Sequence, residues 1–117
     1  MRGTDPQMDL LARLLDAADL RHRVIANNVA NVNTPGYRRQ EVRFEEALSE
    51  ALAKGGEATS VRPQVVEAAG DVGRADGNTV DIDAEMARLS TNSLLYRLFA
   101  QVLTGQLATM RSAITGK

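Results

Sequence analysis

The chain has 117 residues and a formal net charge of −1. That length suits one domain or one elongated unit, and the balanced charge gives no general pull toward nucleic acid or anionic membrane. With no cysteine, disulfides, thiolate metal sites and cysteine nucleophiles are excluded. The single histidine, His22, leaves too little imidazole for a zinc site or a catalytic triad. Aromatic residues make up only 3% of the chain, so any core must be aliphatic, mostly Leu, Val, Ile and Ala.

In chain order, residues 1–6 read as a tail. Asp5 followed by Pro6 forms a helix start, with the acid as cap and the proline in the first turn. Residues 7–37 hold an N-terminal helix and the turn that ends it. Steps of four and three pick out Leu11, Leu15, Ala18, His22, Ile25, Val29 and Val32, a two-per-heptad stripe of the kind that makes a coiled-coil seam. His22 falls on that seam and reads as a packed residue rather than a ligand. The helix ends in a run of asparagines, Asn27, Asn28, Asn31 and Asn33, whose amides compete with the backbone. Thr34-Pro35-Gly36-Tyr37 then fits a type II turn, because proline presets φ at its second position and glycine supplies positive φ at its third.

Residues 38–80 form a variable middle segment. Arg38 to Phe44 reads as extended, and Phe44, Leu48, Ala51 and Leu52 define a short amphipathic helix near 45–54 that Gly55-Gly56 ends. Residues 53–79, rich in Gly, Ala and charge, read as a linker with at most one hairpin. Its one candidate strand, Val61 with Val65-Val66, is demoted to an edge by Pro63.

Residues 81–117 form a long C-terminal helix. Asp81, Asp83 and Glu85 crowd its first turn, matching the helix dipole rather than a calcium loop, and Gly116 suits its stop. Its stripe includes Ile82, Met86, Leu89, Tyr96, Leu103, Leu107, Met110 and Ile114. A second stripe, Leu95, Leu98 and Val102, lies on another face. The N-terminal helix has one narrow seam to offer. Leu11, Leu15, Ile25 and Val29 are therefore expected to pack on Leu89, Tyr96, Leu103, Leu107 and Met110, leaving Leu95, Leu98 and Val102 for neighbouring subunits. The expected fold is all-α: an elongated, coiled-coil-like hairpin of long N- and C-terminal helices with a largely irregular middle. The uncharged run Leu98 to Met110 is too short and polar to span a bilayer. The carboxylates are accounted for as caps and ion pairs, so no catalytic, metal or cofactor site is expected.

The stretch Val24-Ile25-Ala26-Asn27-Asn28-Val29-Ala30-Asn31-Val32-Asn33-Thr34-Pro35-Gly36-Tyr37 resembles the N-terminal signature of flagellar rod, hook and hook-associated proteins. Asp76-Gly77-Asn78-Thr79-Val80-Asp81-Ile82-Asp83, followed by Asn92-Ser93-Leu94-Leu95-Tyr96, narrows the resemblance to the FlgB family of proximal rod subunits. The resemblance covers roughly residues 8–48 and 76–117; residues 1–5 and the middle match nothing. It implies a structural subunit that stacks around the export channel and transmits torque. Its partners would be copies of itself, other rod proteins, the membrane-ring base and the export apparatus. It also implies a periplasmic rod location reached without a cleaved signal peptide, which agrees with a first segment interrupted by Asp9, Arg13, Asp16 and Asp19. The competing class is a non-catalytic helical adaptor or export-chaperone-like module that uses the same seams to hold one partner.

Overall fold

The computed structural model describes residues 5–116. Helix α1 spans Pro6–Ala30 and helix α3 spans Ile82–Thr115. At 1.5 Å per residue they are about 37 and 51 Å long. Strand β1 (Gln40–Arg43), helix α2 (Glu45–Ala53), a 3-10 turn at Ala58–Ser60 and strand β2 (Gln64–Glu67) lie between them. The molecule measures 63 × 31 × 18 Å with a radius of gyration of 17.8 Å, well above the about 13 Å of a compact chain this size.

The ends of the long helices follow from local chemistry. Asp5 caps α1 by accepting a hydrogen bond from the Gln7 N–H at 2.9 Å, and Pro6 fills the first turn. Asp81 caps α3 by accepting from the N–H groups of Asp83 and Ala84, and Gly116 ends it with φ 71°. Of the expected tail of residues 1–6, Pro6 is the first residue of α1 and Asp5 its cap, and residues 1–4 lie outside the described residues.

The two long helices pack antiparallel. Asn28 meets Glu85 near one end, Asn92 donates to the Ala18 carbonyl at 2.7 Å in the middle, and Gln106 meets Gln7 at 3.4 Å near the other end. Ala17 and Ala18 are buried on α1 and let neighbouring elements approach closely. A separate face of α1 carries the apolar cluster of the middle segment. Ala17, Phe44, Leu48, Ala58 and Val61 form that cluster, with Leu10, Leu14 and Ala51 packed against it.

The fold is mostly helical but not all-α. Strands β1 and β2 pair antiparallel, with Val42 opposite Val65 and Gln40 opposite Glu67. The segment expected to be a linker is folded onto α1 through Ala58 and Val61. Beyond β2, the Ala68 N–H donates to the Arg39 carbonyl at 3.0 Å, and Arg39 pairs with Asp71 at 3.0 Å. These tertiary contacts hold two four-residue strands that local sequence pattern alone supports weakly.

Candidate functional site

Two features dominate the molecule: a polar lock at one end of the helix hairpin, and an apolar surface along the outside and far end of α3. In the lock, α1 runs into the asparagine-rich exit. Asn31 donates from its amide to the Asn27 carbonyl at 2.9 Å and accepts from the Thr34 hydroxyl at 3.1 Å. The Tyr37 N–H donates to the Thr34 carbonyl at 3.2 Å, and Gly36 has φ 75°, closing the turn around Pro35. Asn27 donates to the Tyr37 hydroxyl at 2.9 Å. Asn33, Thr34 and Pro35 are exposed.

The buried members of the lock tie this turn to the loop before α3. Asn78 is fully buried and donates to the carbonyls of Asn31, Val32 and Thr34 at 2.9, 3.2 and 2.8 Å, while its Oδ1 accepts from the Val80 N–H at 2.7 Å. The Gly36 N–H donates to the Asp76 carbonyl at 2.8 Å. The Arg74 guanidinium donates to the carbonyls of Val32 and Val80. Gly77 has φ 83°, and a Cβ placed there would lie 3.5 Å from the Gly36 Cα, so the two turns meet backbone to backbone. Asn28, also fully buried, donates to the Gln40 carbonyl at 2.8 Å and to Glu85, and accepts from the Gln40 N–H at 2.9 Å and the Tyr37 hydroxyl at 3.2 Å. Glu85 is fully buried on α3, its other oxygen taken by Arg88 at 2.8 Å. The lock thus joins α1, β1, the 74–80 loop and the start of α3 in one hydrogen-bonded unit.

The seam residues are distributed as follows. Leu11 and Ile25 are buried, and Leu15, Val29, Leu89 and Leu103 are half-buried. Tyr96, Leu107 and Met110 stay 44, 48 and 40% exposed. The register explains Leu107 and Met110: α1 begins at Pro6, and Gln7 already lies beside Gln106. Residues Leu107 to Thr115 therefore project about 13 Å past α1, rather than packing on it. The buried face of α3 also runs through the polar residues Glu85 and Asn92, about one position round from the forecast stripe of Ile82 and Met86, which are exposed. His22 is exposed, beside a shallow depression shared with Asn92, Tyr96 and Arg97.

On the far side of α3, Ala87, Thr91, Leu94, Leu95, Leu98, Val102, Gly105 and Thr109 are all exposed. Of the five charged residues of this helix, Glu85, Arg97 and Arg111 lie off that face by helical rotation, and Asp83 and Arg88 flank its two edges. A groove of about 520 Å³ adjoins it between α1, β1 and the first half of α3. Val24, Ile25 and Val42 floor the groove, and Ala87, Thr91 and Leu95 form its α3 lip. The Arg21 guanidinium pairs with Glu45 at the α1 side, and this hydrogen-bonded pairing holds the Glu45 carboxyl below its ordinary range against the opposing effect of burial. No group of His, Asp or Glu side chains able to hold a metal ion occurs among the described residues, and no helix among them is long and apolar enough to cross a membrane.

The described structure thus presents a hydrogen-bonded lock and a long exposed apolar face on α3. Residues 13–38, which run from mid-α1 through the turn, match the family described as flagella basal body rod protein. The chain is similar to the flagellar basal body rod protein FlgB of Borrelia hermsii, at 35% identity over 81% of this chain and 85% of that protein. It is also similar to the FlgB proteins of Bacillus subtilis strain 168 (30% identity, 91% of each chain) and Escherichia coli K12 (32% identity, 80% and 82%). The chain belongs to the FlgB family of flagellar basal body rod proteins, whose role is structural and not catalytic.

Proposed function

We propose that this rod subunit assembles through its terminal helices. The face carrying Leu95, Leu98 and Val102 is covered by neighbouring subunits, while the α1–α3 seam built around Leu11, Ile25, Leu89 and Leu103 holds the subunit together. The observation that carries this reading is the outer face of α3. Leu94, Leu95, Leu98 and Val102 are 67, 38, 51 and 41% exposed with no charged side chain among them. Isolated exposed leucines are ordinary, but a continuous uncharged stripe along one helix marks an interaction surface.

In this reading the partners are other copies and other rod proteins, with the membrane-ring base and the export apparatus at the rod's inner end. The rod lies in the periplasm and encloses the export channel while it transmits torque. Residues 7–37 and 81–117 form the assembling hairpin, and the middle segment braces one side of α1. The lock residues Asn27, Asn28, Asn31, Asn33, Thr34, Pro35, Gly36 and Tyr37 set how the hairpin closes.

Two variants test the division of faces. Leu103→Asp places a charge in the half-buried seam and should lower the helicity of the free subunit. Leu98→Asp should leave that helicity nearly unchanged and block rod assembly, read as basal bodies that have membrane rings but no rod. If Leu98→Asp unfolds the free subunit while Leu103→Asp is harmless, the faces are assigned the wrong way round.

A further inference from the structure

The lock closes over one chemically labile bond. Asp76-Gly77 is the one place in the chain where an aspartate or asparagine precedes glycine. In an open chain such a pair rearranges without a catalyst, because glycine has no Cβ to restrict its backbone or shield its nitrogen from the neighbouring side-chain carboxyl. In the closed lock each group that the rearrangement needs is engaged elsewhere. The Gly77 N–H donates to the Arg74 carbonyl at 2.8 Å. The Asp76 Oδ1 accepts from the Asn78 N–H at 3.0 Å, which aims the carboxylate at the nitrogen two residues on instead of the next one. The Asp76 main-chain carbonyl accepts from the Gly36 N–H at 2.8 Å. Asp76 itself is exposed, so the fold withholds the geometry of attack and not the water.

We propose that Asp76 is a site of spontaneous isoaspartate formation and that the closed lock suppresses it. The Gly77 nitrogen bonds to the Asp76 Cγ, and the nitrogen's proton and the carboxyl's hydroxyl leave together as one water, giving a five-membered succinimide. Water then opens the ring. Where it breaks the bond from the nitrogen to Cγ, aspartate returns. Where it breaks the bond from the nitrogen to the Asp76 main-chain carbonyl carbon, the backbone runs on through Cγ and carries one extra methylene. One water leaves, one enters, and nothing is oxidised or reduced. The product does not fit the lock. Gly77 and Gly36 meet backbone to backbone, with a Cβ placed at Gly77 only 3.5 Å from the Gly36 Cα. The carbonyl that took the Gly36 N–H becomes part of a side-group carboxylate, and the extra methylene shifts the buried Asn78 away from the carbonyls of Asn31, Val32 and Thr34. A chain that dwells with its lock open therefore loses the ability to close it, and the lock guards the subunit's covalent integrity as well as its shape.

The full chain is incubated at one pH and temperature in native buffer and in guanidinium chloride, then digested with trypsin. Cleavage after Arg74 and Arg88 releases residues 75–88, in which Asp81-Ile82 and Asp83-Ala84 serve as internal controls. Chromatography and fragment-ion mass spectrometry of this peptide read isoaspartate at each position. At Asp76 it should form at least about tenfold faster in denaturant, because a protected bond reacts only from the open population, and it should exceed that at Asp81 and Asp83. Arg74→Lys keeps a charge beside Asp76 but loses the guanidinium fork that joins the Val32 and Val80 carbonyls. It should speed the reaction in native buffer and leave the rate in denaturant unchanged. Chains aged in denaturant and returned to native buffer should unfold at a lower urea concentration than fresh chains, or fail to fold. Equal wild-type rates in buffer and denaturant, an unchanged native rate in Arg74→Lys, or aged chains with the urea midpoint of fresh ones would each overturn the proposal.

Discussion

Replacing Asn78 with alanine should cost this small protein a large part of its stability, although Asn78 touches neither the apolar cluster nor the proposed subunit contacts. Its amide supplies two hydrogens to three carbonyls, those of Asn31, Val32 and Thr34, and its Oδ1 takes the Val80 N–H. Each lost hydrogen bond costs about 1 kcal/mol, and a Val80 N–H left buried without an acceptor adds about 1–3 kcal/mol, for a total of about 3–5 kcal/mol. A chain of this length is stable by about 6–17 kcal/mol in all. Urea denaturation of the isolated chain, followed by far-ultraviolet circular dichroism, measures the loss. Asn78→Asp should be worse than Asn78→Ala at neutral pH, because a carboxylate would face three carbonyl oxygens. Its folded-state pKa would lie above the unfolded value, so its deficit should shrink as pH falls and grow as pH rises. Asn33→Ala, at an exposed position of the same motif, should shift stability by no more than about 0.5 kcal/mol. If Asn78→Ala costs under about 1 kcal/mol with helicity intact, the lock is ornamental and the reasoning fails.

Gly105 sits inside α3, and a Cβ built there meets nothing within 4 Å; Gly105→Ala should therefore stabilise the free subunit by about 1 kcal/mol in the same urea titration. Glu45→Gln should weaken the fold at neutral pH by no more than about 1 kcal/mol, because the Glu45 side chain is 56% exposed and solvent screens its pair with the half-buried Arg21. Since the Glu45 carboxyl is held below its ordinary value of 4.5, its contribution is present above that value and lost as pH falls through the lower folded value. The wild type and Glu45→Gln should therefore converge in acid. Asn92→Leu should leave stability within about 1.5 kcal/mol or raise it, while broadening the amide NMR spectrum, because a polar seam residue fixes helix register more than it adds energy.

The parts of the fold legible in the sequence were those decided within a few residues. Asp5 with Pro6, Asp81, Gly116 and the turn at Thr34 to Tyr37 each carry their own geometry in their chemistry. The short helix around Leu48 was equally readable from its apolar spacing. The sheet was not, because Gln40–Arg43 and Gln64–Glu67 are strands only in each other's company and in that of Ala68 and Arg39. The hairpin register was missed for a different reason. Counting apolar residues places Met86 and Tyr96 on the seam, whereas buried hydrogen bonds from Asn28 to Glu85 and from Asn92 to Ala18 turn α3 by about one position. Polar residues set this seam, and a hydrophobic count is blind to them. The same blindness hid the link between the two recognition motifs. Nothing in their separate spacings says that Asn78 completes the turn at Thr34, a contact spanning 44 positions.

This placement separates recognition from assembly. Asn28, Tyr37, Asn78 and Thr79 direct their hydrogen bonds to partners inside the chain, so the motif that marks the family serves to close the hairpin. The outer face of α3 offers a neighbour leucine, valine, alanine and threonine, with no charge to set a pairing. Apolar burial is non-directional and would tolerate sliding along such a face. In the proposed assembly the stagger between subunits would come from shape: from where the hairpin ends and α3 runs on alone, and from where the outer face of α3 begins. Both positions are fixed by the antiparallel register, and that register is set by the buried polar contacts at Asn28, Glu85 and Asn92. A change in the lock would therefore reach the rod without touching any surface that subunits share.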